Sequence, residues 1–217
     1  MHWQPSLLTD NCGYSVQSIK AQDCHWWLIN LHYAKRIPSI SYAFGLLQDG
    51  NLVGIVTYGT PPSSTLCRGI CGPDYQTQVL ELNRLVLKNN LHNEASILVS
   101  QSLKLLPSPS IIVSFADSAQ NHIGYVYQAT NFIYTGLSAK FIDPQVKGLE
   151  HQHHATYAHG LSNAEVVAKY GADNVTWVER SRKHRYLYFI GSKSQKRTYM
   201  AALRYQVQSY PKQDKGK

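Results

Sequence analysis

The sequence predicts an α/β protein: a central mixed β-sheet with helices on both faces, in one domain spanning residues 1–217. Three observations predict it. Stretches with the two-residue hydrophobic period of strands alternate along the chain with stretches of helical period. Asp49-Gly50, a strong hairpin signal, separates two alternating runs. The apolar run Ile111-Ile112-Val113 leads on to Asp117, as a buried strand with an acid at its carboxyl end would. A chain of 217 residues is long enough to bury a substantial core.

YSVQSIK, residues 14–20, reads as the first strand, and AQDCHWWLINLHY as a helix that carries Trp26, Trp27 and Leu31 and ends at His32-Tyr33. Residues 40–58 form the hairpin around Asp49-Gly50. VLELNRLVL, residues 79–87, is the next strand, followed by Asn89-Asn90 and a helix from Glu94 to Leu106 that stops before Pro107. After the strand that reaches Asp117 come a helix over Ala119–Ala129 and a strand over Phe132–Leu137. A helix from Asn163 to Tyr170 is capped by Ser162 and stopped by Gly171. Strands at 175–179 and 184–190 and a helix at 195–204 close the order.

No run of about 18 apolar residues appears, which argues against a membrane helix and a membrane partner, and the N-terminus lacks the basic flank and apolar stretch of a secretory signal. The expected compartment is the cytoplasm, with Cys12, Cys24, Cys67 and Cys71 as reduced thiols. Cys67 and Cys71 alone lack the second pair that a zinc site needs. The net charge is +8, unevenly distributed: residues 180–217 hold 11 Lys/Arg and one acid, against 10 and 12 before them. A basic region of this kind suits a polyanion, because each neutralised phosphate releases counterions. Interleaved Tyr186, Tyr188, Phe189, Tyr199, Tyr205 and Tyr210 offer stacking faces, although KHRYLYFIG also alternates like a core strand. Nothing in the sequence distinguishes a monomer from a dimer.

Several residues have two readings. Asp117 sits where open α/β sheets bind ligands, and it is also a preferred helix cap. Arg84 falls between Leu82 and Val86 along one strand face, where a charge needs a partner such as Glu81 or a solvated edge. The loop LKNNLHNEAS precedes a helix whose first-turn N–H groups suit a phosphate, while Asn93 and Ser96 also suit simple capping. His32 and Tyr33 with a carboxylate form a metal-capable set. His151, His153, His154 and His159 lack the i, i+4 spacing of a helical zinc motif and read as surface histidines of a loop or strand.

The order strand, helix, hairpin, strand, phosphate-facing loop and helix, strand, helix, strand resembles the GNAT acyltransferase fold. More specifically, HYAKRIPS, FGLLQDGNLVGIVTYGTPPS, LELNRLVLKNNLHNEAS, VSFADSAQNHIGYVYQATNFIYTG, KHRYLYFIG and YPK are similar to the Mom family of bacteriophages. The resemblance implies an enzyme that converts adenine in double-stranded DNA to N6-(carbamoylmethyl)adenine in the infected or lysogenic bacterial host, protecting phage DNA from restriction. It implies functional positions at His32, Tyr33, Arg84, Ser96, Asp117 and Tyr127. Ser96, with Asn93 and Glu94 beside it, would bind acetyl-CoA or a related acyl donor, and His32, Tyr33 and Asp117 would hold Fe(II). The chain departs from ordinary acetyltransferases in lacking their Q/R-x-x-G-x-G/A loop. DNA is expected on Arg182, Lys183, Arg185, Lys193, Lys196 and Arg197, with the flipped base against Tyr125, Tyr127, Tyr134 or Trp26. An ordinary acyl-CoA N-acyltransferase and a non-catalytic DNA-binding protein are the competing readings.

Overall fold

The computed structural model describes residues 8–9, 13–150, 152 and 154–212. Strands β1 (Leu8–Thr9), β2 (Tyr14–Ser18), β3 (Tyr42–Gln48) and β4 (Asn51–Gly59) form an antiparallel meander, β3 and β4 turning at Asp49-Gly50 as expected. Asp49 and Gly50 both adopt the positive φ that such a turn demands. Beyond β4 lie β5 (Val79–Leu87) and β6 (Ser110–Asp117), the parallel pair of the sheet. Strand β7 (Ile133–Leu137) forms the far edge, and β10 (Lys183–Ile190) inserts between β6 and β7. The remaining strands, β8 (Ile142–Val146) and β9 (Val175–Glu179), pair only with each other.

Helices cover both faces. Leu98, Val99 and Leu103 of α3 (Glu94–Leu105) and Tyr127 of α4 (Tyr125–Ala129) pack on Phe44, Val56, Leu82 and Ile112. The residues that alternate with these meet the other helices. Trp27 and Leu28 of α1 (His25–Asn30) pack on Ala43, Ile55 and Val86. Cys67, Ile70 and Cys71 of α2 (Ser64–Cys71) and Tyr199 of α7 (Lys193–Ala202) pack on Ile111, Val113, Leu187 and Phe189. This is the mixed α/β fold the sequence predicts. No helix among the described residues is long and apolar enough to cross a membrane.

Three expectations change. Residues 175–179 do not join the main sheet. They belong to a module, with β8, α5 (His154–Tyr157) and α6 (Asn163–Tyr170), whose own core is Val146, Tyr157, Ala158 and Val166. Helix α2 stands between β4 and β5, where the expected order has no element. In the basic terminal region, β10 lies inside the sheet and buries Tyr186, Leu187 and Phe189. Past α7, Arg204 N–H bonds to Ile70 O, Gln208 N–H to Tyr134 O and Tyr210 O–H to Phe132 O, strapping residues 204–210 to the body. The stretch 119–129 is not one helix: a 3-10 turn over Ser118–Gln120 is followed by a loop, and α4 begins after Gly124 at φ 81°. Cys67 and Cys71 are buried core thiols, with Cys71 donating to Tyr199 O. Of the histidine run, His151 and His153 lie outside the described residues, and the backbone of His154 opens the short α5.

Candidate active site

The parallel ladder between β5 and β6 ends at Leu82 opposite Ser114, although β5 runs on to Leu87 and β6 to Asp117. The strands splay there. Ser114 closes the last rung by donating its hydroxyl to Leu82 O at 2.9 Å. Between the diverging ends opens a cleft of about 750 Å³, within the usual range for a ligand site. His32, Tyr33, Glu81, Arg84, Asp117, Tyr127 and Lys183 all line it, from segments far apart in sequence.

A β-bulge aims Arg84. The register of β4 against β5 jumps between Thr57–Arg84 and Tyr58–Leu82, leaving Asn83 as an extra residue. Leu80 and Leu82 face α3 before the bulge, Leu85 and Leu87 face it afterwards, and Val86 faces α1. Arg84 therefore shares the side of Val86 and not that of Leu82, contrary to the simple alternation. Its Nε is buried without a hydrogen-bond partner, one other nitrogen donates to Asn83 O, and among the described residues it makes no ion pair, with Glu81 or any other acid. Burial and the nearby Arg36 lower its pKa.

Asn83 also holds the segment that carries His32 and Tyr33. Thr57 donates to Asn83 Oδ1 at 2.6 Å, and Asn83 Nδ2 donates to Ser39 O at 2.8 Å. Gly59 lies so close that a Cβ there would stand 1.9 Å from Ser39 O. His32 follows α1 in a turn, its ring stacked on that of Tyr33 at 4.5 Å. Ala34 N–H donates to His32 Nδ1 at 3.0 Å, which puts the proton of the neutral ring on Nε2. Burial, then Arg84 and His122, push the His32 pKa down from 6.5 to about 4. Tyr33 is raised by burial and by Asp117, so its phenol stays protonated.

The depressed His32 pKa predicts a pH effect on stability. Its folded value lies below its unfolded value, so the unfolded chain binds the proton more readily and stability falls as pH drops from about 6.5 towards 4. With the ring partly solvated, the loss by pH 5 should be about 1 kcal/mol. In thermal melts at pH 7 and pH 5, His32→Gln should reduce the drop by that amount; an identical drop in both proteins would refute the assignment.

Asp117, the last residue of β6, is a cap and more than a cap. Its Oδ1 accepts from Ala119 N–H at 3.0 Å and from Ser181 O–H at 2.8 Å, while Lys183 Nζ stands 3.7 Å from Oδ2. Lys183 is its register partner across the β6–β10 ladder. Ser118 N–H and O–H both bond to Arg182 O, fastening the same stem. Tyr127 forms part of the floor. Burial raises the pKa of its phenol to about 12.

The expected donor-side residues take other partners. Asn93, at φ 65°, makes no side-chain cap. Glu94 is 1% exposed, accepts from Leu91 N–H at 2.7 Å and from the Tyr14 hydroxyl, and so ties the preceding loop to the start of α3. Ser96 donates back to Asn93 O, while Asn90 and Ala95 line the cleft beside them. The ligand set expected for iron fits poorly. Asp117 Oδ1 is doubly engaged, and among the described residues no three His, Cys, Asp or Glu side chains cluster closely enough to hold a metal ion.

The expected DNA-binding set also separates. Lys183 lies in the cleft on Asp117, and Arg182 Nε donates to Ser138 O. Arg185 bonds Thr135 and stacks on Tyr205 at 3.4 Å, which makes it part of the fold. Lys193, Lys196 and Arg197 are exposed on α7, past Ile190, whose partner is Ser110 at the opposite end of β6 from Asp117. Tyr134 is buried and hydrogen-bonded to His184, leaving Tyr125 (59% exposed) and Trp26 (60%) as the open aromatics of the four expected.

Glu81 is the residue that sequence reasoning undervalued. It was legible only as a salt-bridge partner for Arg84, yet it lines the cleft where the strands part. Burial raises its pKa against the pull of Arg84, Lys183 and Arg36. Asn83 carried a usable signal, since Asn is depleted in strand interiors and marks bulges when found there.

Similarity to known proteins extends over most of the chain. The methylcarbamoylase Mom of Escherichia phage Mu is 26% identical over 213 residues, covering 92% of this chain and 86% of that protein. An acetyltransferase of the GNAT family from Bacillus cereus has a TM-score of 0.42 at 12% identity, covering 82% of this chain and 97% of its own. A ribosomal-protein-S5-alanine acetyltransferase from Vibrio fischeri has a TM-score of 0.46 at 12% identity, covering 85% and 97%. The model of the Mom protein family matches residues 13–212, and on that match the chain belongs to the Mom protein family.

Proposed function

We propose that the chain is a phage-encoded transferase that modifies the exocyclic N6 of adenine in double-stranded DNA to N6-(carbamoylmethyl)adenine, protecting that DNA from host restriction; the group is attached through its methylene carbon, so simple acyl transfer, which would leave an amide on N6, is not by itself the reaction. The observation that carries this reading is the meeting of His32, Tyr33, Arg84, Asp117 and Tyr127 in one cleft. Family membership over residues 13–212 and the name of the phage Mu relative support it. A cleft of about 750 Å³ has room for a base and the reactive end of a donor.

The target nitrogen is conjugated with its ring and paired in the duplex. It must be flipped out, at a cost of a few kcal/mol, and then oriented. Tyr125, exposed at the cleft, offers a face on which the base stacks. In this reading Asp117 Oδ2 accepts a hydrogen bond from the N6 amine and aligns its lone pair. Glu81, held towards its neutral form by burial, is the second carboxyl, available to give a proton to the leaving group, while Asp117 takes the one that N6 loses as the carbon–nitrogen bond forms. Arg84 Nε, buried and without a protein partner, and His32 Nε2–H supply donors for an oxygen of the donor group.

Expression in bacteria, enzymatic digestion of total DNA to nucleosides and mass spectrometry test the proposal. A heavier deoxyadenosine derivative of carbamoylmethyl mass is expected. Unmodified deoxyadenosine from cells rich in folded protein would overturn it. Acetyl-CoA consumption without DNA and without an altered nucleoside would favour an ordinary N-acyltransferase instead.

A further inference from the structure

The charge pattern of the sequence pointed to residues 180–217 as the DNA surface, but of the cations expected there Arg182, Lys183 and Arg185 are committed to the fold, and Lys193, Lys196 and Arg197 follow the end of β10 remote from Asp117. Lys183 stands on Asp117, Arg182 on Ser138 and Arg185 on Thr135 and Tyr205. The three exposed cations of α7 follow Ile190, seven residues along β10 from Lys183, or about 23 Å at the usual strand rise. A duplex whose flipped base reached Asp117 through the mouth would need different contacts.

The segment over α1 and the turn after it offers them. It buries Trp27 and Leu28 against the sheet and turns Trp26 (60% exposed), Leu31 and Tyr33 (55%) outward. Leu31 and Tyr33 are themselves walls of the cleft, so this outward surface is continuous with the site. Lys35 and Arg36 follow directly, both exposed. From His25 to Gln48 the chain contains those two cations and no acid. Arg36 lies close enough to Arg84 to lower its pKa, so the rim and the cleft are electrostatically coupled. The hydrogen bond from Asn83 to Ser39 and the tight approach at Gly59 fix the segment in place, giving a preordered surface.

We infer that this α1 rim, with Lys35 and Arg36 as its phosphate contacts and Trp26 as its apolar contact, is where double-stranded DNA docks to present adenine to the cleft. The inference rests on the proposed DNA substrate. Lys35 and Arg36 take the phosphates flanking the extruded nucleotide, and Trp26 covers the sugar or base edge beside the gap. An uncharged ligand would have no use for the cations, and an acidic peptide would have no need of a rim that opens into a base-sized cleft.

The test is fluorescence anisotropy with a labelled duplex at several salt concentrations, on proteins whose melting temperatures match wild type. Lys35→Glu/Arg36→Glu should weaken binding at least tenfold and reduce the slope of log affinity against log salt by about 2, near 0.9 for each phosphate no longer neutralised. Trp26→Ala should weaken binding several-fold with the slope unchanged. Lys193→Glu/Lys196→Glu/Arg197→Glu should change affinity less than twofold. If the α7 triple variant loses more affinity than the rim double variant, or the rim variant binds like wild type, the docking surface is wrong while the DNA substrate stands. If wild-type protein binds no duplex at any salt, the proposed function itself falls.

Discussion

Asp117→Asn should abolish adenine modification, by a hundredfold or more, in a protein that melts within about 4 °C of wild type. The substitution separates the two duties of this side chain. Asn retains an oxygen that can accept from Ala119 N–H and Ser181 O–H, and Asn is as good a cap as Asp. Only the negative charge and the second carboxylate oxygen disappear. The ion pair with Lys183, at 3.7 Å with the lysine 41% exposed, is worth less than about 1 kcal/mol. Asp117→Ala also removes the acceptor and should cost a further 0.5–2 kcal/mol, roughly, in stability. Nucleoside mass spectrometry and a thermal melt on the same preparations decide the matter. Wild-type product from the Asn variant would remove Asp117 from the chemistry, whereas equal loss of folding in both variants would reduce it to a cap.

Gly59→Ala should be the most damaging small substitution near the site. A Cβ there meets Ser39 O at 1.9 Å and Ser39 C at 2.7 Å, and both are backbone atoms that cannot swing aside like the end of a side chain. Relief requires the turn at Ser39 to move, which strains the bonds from Asn83 to Ser39 O and from Ser41 N–H to Tyr58 O. Overpacking of this kind costs about 1–3 kcal/mol, or more where backbone must shift. For a protein of this size that is a fall of roughly 2–12 °C in melting temperature. The displaced turn is continuous with His32, Tyr33, Lys35 and Arg36, so product formation should fall further than stability alone explains. Measured at a temperature where the variant remains folded, wild-type activity would show that the turn need not be held for catalysis.

Strand alternation and turn chemistry made most of the sheet legible. The Asp49-Gly50 hairpin, β5, β6, α3 and β10 lie within a residue or two of their expected ends. The failures have local causes. The segment α2, STLCRGIC, was missed because it is only eight residues long and builds its buried face from Cys67, Ile70 and Cys71, so that thiols rather than long aliphatic side chains carry most of it. Val175–Glu179 looks like any other strand, and only its pairing with Ile142–Val146 removes it from the main sheet. Side-chain period says which face a residue takes, not which strand it will meet. Asp117 was visible because an apolar strand led to it. The orientation of Arg84 was not, because one extra residue at Asn83 reverses every later side chain of β5. The charge of the basic terminal region was legible, but what each cation touches once β10 enters the sheet was not, because a count along the chain carries no contacts.

The module between β7 and β10 begins and ends at touching points. Ser138 N–H bonds to Lys183 O at 2.8 Å, Lys183 N–H bonds to Ser138 Oγ, and Leu137 pairs with His184. To the sheet, everything between is the loop of a hairpin that has grown very long. Loop-closure entropy rises only with the logarithm of length, about 0.6 kcal/mol for each doubling, so the framework is nearly indifferent to what that loop contains. Residues 140–180 can then diverge, lengthen or be exchanged between relatives without disturbing the strands, while Ser181 remains on Asp117. This stretch is where members of the family should differ most in size, a place for evolution to graft new partners onto an unchanged catalytic frame.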